Sequence, residues 1–200
     1  MKLYGSPTSP YVRKVRVLTR ELRLAVEHVD VNVHEIPSDY GRLNPVNRIP
    51  ALAFDDGTLM FDSRVICEYL DLEHGARLLP PEGAERWRVL KLQVFGDGLM
   101  DAATPRVAEL SRPPERQWPH RLAEYERSIR QTLNALEVLA DELDGINLGT
   151  ISIGCALGYL DFRLSSEPWR EGRPRLAAWY GTFAERPSMI ATSPTAPLVR

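Results

Sequence analysis

Residues in three short stretches have types and spacings suited to gripping charged or polar groups. In Ser6-Pro7-Thr8-Ser9-Pro10-Tyr11-Val12-Arg13-Lys14, three hydroxyls and two prolines come directly before a basic segment with helical spacing. Ser9 suits a helix N-cap and Pro10 the first helical position, where its missing N–H costs nothing. The positive end of such a helix, with free N–H groups, also attracts anions. In Arg48-Ile49-Pro50, a polar loop ends just before the apolar run Ala51-Leu52-Ala53-Phe54. An X-Pro bond there can be cis at a cost of only about 0.5–1 kcal/mol, turning the preceding N–H and C=O outward, where they can pair with a peptide-like ligand. Asp62-Ser63 stands where an apolar strand becomes a helix. An acid able to hold an ammonium then lies beside N–H donors able to hold a carboxylate. The same pair makes an ordinary N-cap, and capping and ligand binding use the same geometry.

The elements that must carry these residues follow from hydrophobic period. Leu3-Tyr4 begins a short strand, and Tyr11-Val12, Val15, Val17-Leu18 and Leu22 predict a helix over 10–23. Residues 25–31 alternate as a half-buried strand does, completing a βαβ unit. Asp55-Asp56-Gly57 turns the strand at 51–54 into another at 58–61, and Val65-Ile66-Tyr69-Leu70 gives the next helix its buried face. The boundary falls at Gly75 to Gly83, dividing the chain into domains at 1–78 and 84–200. The second is all helix: 83–110, 119–142, 148–164 and 173–186. Pro105 is expected to kink the first of these, and Gly96-Asp97-Gly98 interrupts its apolar spacing, either as a pocket wall or for close helix packing.

At 200 residues and a net charge of −2, with acidic and basic residues interspersed, the chain has no electrostatic footprint for nucleic acid. Pro7 comes too early for a signal peptide, and the longest apolar run, Ile151 to Leu160, is too short to span a bilayer, so a cytoplasmic protein is expected. Cys67 and Cys155 are read as reduced core thiols. His28, His34, His74 and His120 are scattered singly and no nucleotide or metal motif occurs, which argues against a metal or nucleotide cofactor.

A βαβ-ββα half followed by an all-helical half, with Ser9-Pro10, Asn44-Pro45, Ile49-Pro50, Asp62-Ser63 and the central helix 147–160 in order, resembles the cytosolic glutathione S-transferases, in a bacterial type with Ser at the thiol-activating position. The resemblance spans essentially the whole chain. It implies a thioredoxin-like N-terminal domain with a mixed four-stranded sheet, an all-α C-terminal domain, glutathione as co-substrate and no metal. It also implies that Ile49-Pro50 is cis and that Ile49 docks the cysteinyl backbone of glutathione. Asp62 and Ser63 would take the γ-glutamyl group, and Arg48, directly beside Ile49, the glycyl carboxylate. Ser9 would stabilise the thiolate, with Thr8 and Ser6 as rival hydroxyls on the same loop. Serine rather than cysteine at this position closes the route to thiol exchange through a mixed disulfide.

Further expectations attach to the resemblance. The activity would be attack of the thiolate on a small hydrophobic electrophile, a detoxification chemistry, with the acceptor pocket between the domains and Tyr159 and Trp169 near it. A non-catalytic member of the same fold, binding glutathione or another ligand, is the alternative. A homodimer is usual in the family. The basic run Arg13, Lys14, Arg16, Arg20 and Arg23 is read mostly as a solvated helix face. Asn147 is a competent cap for the central helix, but Thr150 stands where the family has an acid, so only half of a reciprocal capping box is expected.

Overall fold

A computed structural model describes residues 1–32 and 40–194. Its elements run β1 (Lys2–Tyr4), α1 (Pro10–Glu21), β2 (Glu27–Val29), α2 (Tyr40–Leu43), β3 (Ala51–Ala53), β4 (Leu59–Phe61), α3 (Ser63–Glu73), α4 (Gly83–Leu110), α5 (Pro119–Val138), α6 (Leu148–Arg163), α7 (Pro174–Ala184) and α8 (Pro187–Ile190). His34, singled out in the sequence, lies outside the described residues. The chain forms two compact units, Met1–Arg86 with Pro187–Arg200, and Trp87–Arg186.

In the first unit the sheet order is β2-β1-β3-β4, parallel between β1 and β2 and antiparallel elsewhere. Alternation along the strands assigns the two faces. Leu3 and Leu52, opposite each other, are fully buried on one face, and Tyr4, Ala51 and Phe61 pack with Ile49, Val31 and Tyr40 on the other. Helix α1 opens as its sequence predicts: Ser9 is the N-cap, Pro10 holds the first position, and Val12, Val15 and Leu18 form the buried stripe. The turn between β3 and β4 closes through Gly57 at φ 88°, with the Thr58 N–H donating to Asp56 Oδ1 at 2.8 Å. The short helix α2 falls within the stretch read as polar loop.

The basic run of α1 departs from the solvated face expected of it. Arg20 and Arg23 are exposed, but Arg13 and Lys14 are buried. The Arg13 guanidinium donates to the Met189 carbonyl at 3.1 Å and to Thr192 Oγ1 at 3.5 Å, so the returning C-terminal segment covers this part of α1. Ser188 Oγ adds a 2.5 Å bond to Glu21.

In the second unit α6 is buried from Leu148 to Leu160. Gly96 explains how α4 approaches it: a Cβ there would lie 2.4 Å from the Ser152 carbonyl carbon and 2.5 Å from the Ile153 nitrogen. Gly149 is equally confined, its Cβ position being 2.5 Å from Leu92 Cβ. Close packing therefore accounts for Gly96, whereas Gly98 has nothing within 4 Å of the same position. Helix α4 runs on through Pro105 without interruption. The capping box of α6 is complete, contrary to the half expected: the Thr150 N–H donates to Asn147 Oδ1 and the Asn147 N–H to Thr150 Oγ1, both at 2.9 Å. A hydroxyl oxygen has lone pairs to accept the cap N–H, as a carboxylate does. Trp169 is buried edge-on to Tyr180, with its indole N–H on Asp161 at 2.7 Å, and burial raises the Tyr159 phenol above its ordinary pKa. Among the described residues no helix is long and apolar enough to cross a membrane.

Candidate functional site

Strand register brings the three singled-out stretches to one end of the sheet. Val29, Tyr4, Ala51 and Phe61 stand abreast in one row across all four strands. Beyond that row lie Gly5 and the loop to Ser9, the Ile49-Pro50 entry to β3, and Asp62-Ser63 at the exit from β4. Gly5 sits where two of them meet: a Cβ on it would come within 2.4 Å of Val12 Cγ2 and 3.4 Å of Ile49 Cβ. No larger residue fits there without moving α1 or the Ile49 loop.

Ser9 is half-buried, and its Oγ accepts from the Val12 N–H at 3.4 Å. Accepting uses a lone pair and leaves the hydroxyl proton able to donate elsewhere. The rival hydroxyls of Ser6 and Thr8 are bonded to each other at 3.0 Å, and Ser6 Oγ also accepts the Thr8 N–H at 3.4 Å. Carbonyl-to-amide bonds from Ser6 to Ser9 (3.1 Å) and from Ser9 to Arg13 (2.9 Å) join the loop to the helix.

Ile49-Pro50 is cis, as the resemblance implied. The residue before Ile49 is held by its carbonyl, which accepts from Tyr40 Oη at 3.0 Å and from Asn44 Nδ2 at 2.5 Å. Burial pushes the Tyr40 phenol above its ordinary pKa, which keeps it a donor. The Asn44 Oδ1 accepts the Val46 N–H at 2.9 Å, an Asx-type turn, so both ends of a buried amide brace this loop. Asn44 was legible as half of a motif; the Asx turn is the signal that assigns its task. The Arg48 side chain is exposed, and its guanidinium has no partner among the described residues.

Asp62 is the N-cap of α3, its Oδ1 accepting the Arg64 N–H at 2.8 Å. Its backbone, at φ 69° and ψ 127°, lies where an L residue is rarely found. Such conformations cost about 1–3 kcal/mol and cluster at ligand clamps. The carboxylate is exposed while Ser63 beside it is buried. The far end of α3 carries a residue that hydrophobic periodicity could not single out. Buried Asp71 accepts main-chain N–H groups of Arg77, Leu78 and Leu79 at 2.7–3.1 Å, tying down the segment that leaves the helix.

A four-stranded mixed sheet flanked by helices, joined to a helical unit, defines a thioredoxin-like domain followed by an all-α domain. Residues 3–78 match the family model described as "Glutathione S-transferase, N-terminal domain", and residues 119–182 the corresponding C-terminal domain. The chain is 36% identical to the GST-like protein YibF of Escherichia coli K12, over 97% of this chain and 98% of that one. To glutathione S-transferase 3 of Zea mays it is 30% identical, over 99% and 95%. A glutathione transferase family member from Pseudomonas fluorescens Pf-5, solved with bound glutathione, superposes with a TM-score of 0.91 at 42% identity, covering 98% of this chain and 99% of that one. A glutathione S-transferase from Methylobacillus flagellatus KT, also with glutathione bound, gives 0.91 at 33%, covering 97% and 99%. The chain belongs to the glutathione S-transferase family.

Proposed function

We propose that the chain binds glutathione where the three loops meet, stabilises its thiolate with the Ser9 hydroxyl, and transfers it to a small hydrophobic electrophile. The observation that carries this reading is the convergence of a half-buried capping hydroxyl, a braced main-chain edge and a strained acid at one end of the sheet. In this reading residues 1–78 form the glutathione-binding domain. Ile49 and Pro50 meet the cysteinyl backbone, Asp62 takes the γ-glutamyl ammonium, and Ser63 with the first-turn N–H groups of α3 takes its carboxylate. Arg48 reaches the glycyl carboxylate.

A thiol of pKa about 8.5 is only about 3% ionised at pH 7, and lowering that pKa by two units requires about 2.7 kcal/mol. A charge-assisted hydrogen bond of about 1.5–3 kcal/mol, with a helix-end contribution of up to about 2, supplies it. Ser9 donates and need not ionise. Catalysis is then a lowered thiol pKa together with proximity. Ser9 is favoured over Thr8 and Ser6 because it is itself the N-cap of α1, at the positive helix end, while the bond between the other two hydroxyls commits one of their two protons.

Two further features belong to this proposal. Cys67 and Cys155 are buried thiols, in keeping with a reducing cytoplasm, where glutathione is abundant. On α3, Val65, Tyr69 and Leu72 are 52%, 37% and 58% exposed at helical spacing, an apolar stripe that a second copy of the chain would cover. Sedimentation of the wild type against Leu72→Arg should show a dimer weakened by the charge; a wild-type monomer removes the dimer from the proposal. The test of function is calorimetry with glutathione, followed by turnover with haloarenes, epoxides and unsaturated carbonyls. Binding with turnover supports a transferase. Binding without turnover of any electrophile leaves a glutathione-binding member of the fold, and no binding overturns the reading.

A further inference from the structure

We propose that His28 is a positioning residue for thiol activation, acting through the Gly5 carbonyl to set where the Ser9 hydroxyl stands. The inference rests on the reading that Ser9 holds the thiolate. His28 lies in β2, paired with Leu3, and its ring is half-buried. Its Nε2 is 2.7 Å from the Gly5 oxygen, which can only accept, so Nε2 carries the proton. The Gly5 N–H donates to the Val29 carbonyl at 3.0 Å. Both polar groups of Gly5 are therefore held from β2, one by main chain and one by the imidazole.

Gly5 is also the residue that cannot shift toward α1, since a Cβ on it would already lie 2.4 Å from Val12 Cγ2. The bond to Val29 holds the Tyr4-Gly5 peptide, and the next plane, Gly5-Ser6, is held from β2 through its carbonyl by His28. Only Ser6, Pro7, Thr8 and Ser9 separate that plane from Pro10 of α1, and the Ser9 N–H is tied back to the Ser6 carbonyl at 3.1 Å. A tilt of the plane is passed along so short a loop to Ser9. A hydrogen bond to a thiolate depends steeply on distance and angle, so a small displacement of Oγ changes the thiol's acidity. His28 touches neither glutathione nor sulfur in this account; it holds the loop from which Ser9 reaches.

The test compares His28→Gln, which keeps an N–H donor at similar reach, with His28→Met, of similar length but without one. The full chain is loaded with glutathione, and thiolate absorbance against pH gives the pKa of the bound thiol; melting curves check the fold. His28→Met should raise that pKa by about half a unit to one unit, which for a thiol two units below about 8.5 is roughly a 1.5–3-fold loss of thiolate at pH 7. Its kcat should fall in step and recover at higher pH, with little change in the KM for glutathione, while His28→Gln stays near wild type. An unmoved pKa in His28→Met, or equal shifts in Met and Gln variants, overturns the proposal. If His28→Met does not fold, His28→Phe supplies a ring without a donor. Ser9→Ala separates the two layers of the argument. A raised pKa there with none in His28→Met rejects positioning and leaves Ser9 in place. An unchanged pKa in Ser9→Ala removes Ser9, and this route with it. In the double variant, a pKa equal to that of Ser9→Ala alone supports the route, and a further rise overturns it.

Discussion

Asp62 occupies a backbone conformation, φ 69° and ψ 127°, that glycine, having no Cβ, tolerates better than any L residue. Keeping an aspartate there costs about 1–3 kcal/mol of strain, offset only in part by its cap on Arg64. The proposed γ-glutamyl contact explains why the acid is present. Asp62→Gly should therefore be as stable as wild type or up to about 2 kcal/mol more so, since strain is relieved and a glycine cap is only slightly poorer. Asp62→Ala should lose about 1 kcal/mol, because it keeps the strain and forfeits the cap. Both should weaken glutathione by roughly 1.5–3 kcal/mol, the range of a charge-assisted contact. Denaturant midpoints and calorimetry read the two effects separately; unchanged affinity would take Asp62 out of the site. At Ser9 the corresponding change, Ser9→Ala, should raise the bound thiol's pKa and lower turnover at neutral pH, with recovery as pH rises. A mere N-cap would instead cost about 1 kcal/mol of stability and leave the thiol unmoved.

The two glycines of α4 look alike in sequence and differ at the level of packing. Gly96→Ala would drive a methyl to 2.4 Å from the α6 backbone, which cannot yield as a flexible side chain can, so a loss of 1–3 kcal/mol or more is expected. Gly98→Ala meets nothing within 4 Å and should gain up to about 1 kcal/mol of helix propensity. Opposite signs in urea unfolding are the expected result; equal signs would refute the packing account. This pair also shows what the chain discloses by itself. A cap such as Ser9-Pro10 or a turn such as Asp56-Gly57 is legible because its physics is local, confined to a few consecutive residues. Gly96 shows in the sequence as a break in spacing, yet its reason is the backbone at Ser152, on another helix. Thr150 departs from expectation for a subtler cause: the cap N–H needs only an acceptor oxygen, which a hydroxyl supplies as the family's acid does. At the site, the three stretches were readable singly, and the register row that gathers them was not.

At the scale of the molecule, the first unit is built from both ends of the chain. Arg13 would be a costly buried cation if α8 and the residues after it did not bring the Met189 carbonyl and Thr192 hydroxyl to it. Nothing within the α1 sequence foretells this, because its partners stand 176 and 179 positions away. The consequence is that removing the chain after Arg186 should leave the second unit, Trp87–Arg186, whole while destabilising the first. The destabilisation has a signature that separates it from a general loss of mass. In the full chain Arg13→Met should cost about 1.5–3 kcal/mol, the worth of hydrogen bonds made by a charged group. In the truncated chain the same change should cost little, because the guanidinium it removes has already lost its partners and, with its cover gone, is solvated by water. A double-mutant cycle of Arg13→Met with the truncation, followed by denaturant unfolding, measures that coupling. Additive effects would mean that Arg13 and the returning segment contribute independently, and that the C-terminal residues cover α1 without being held by it.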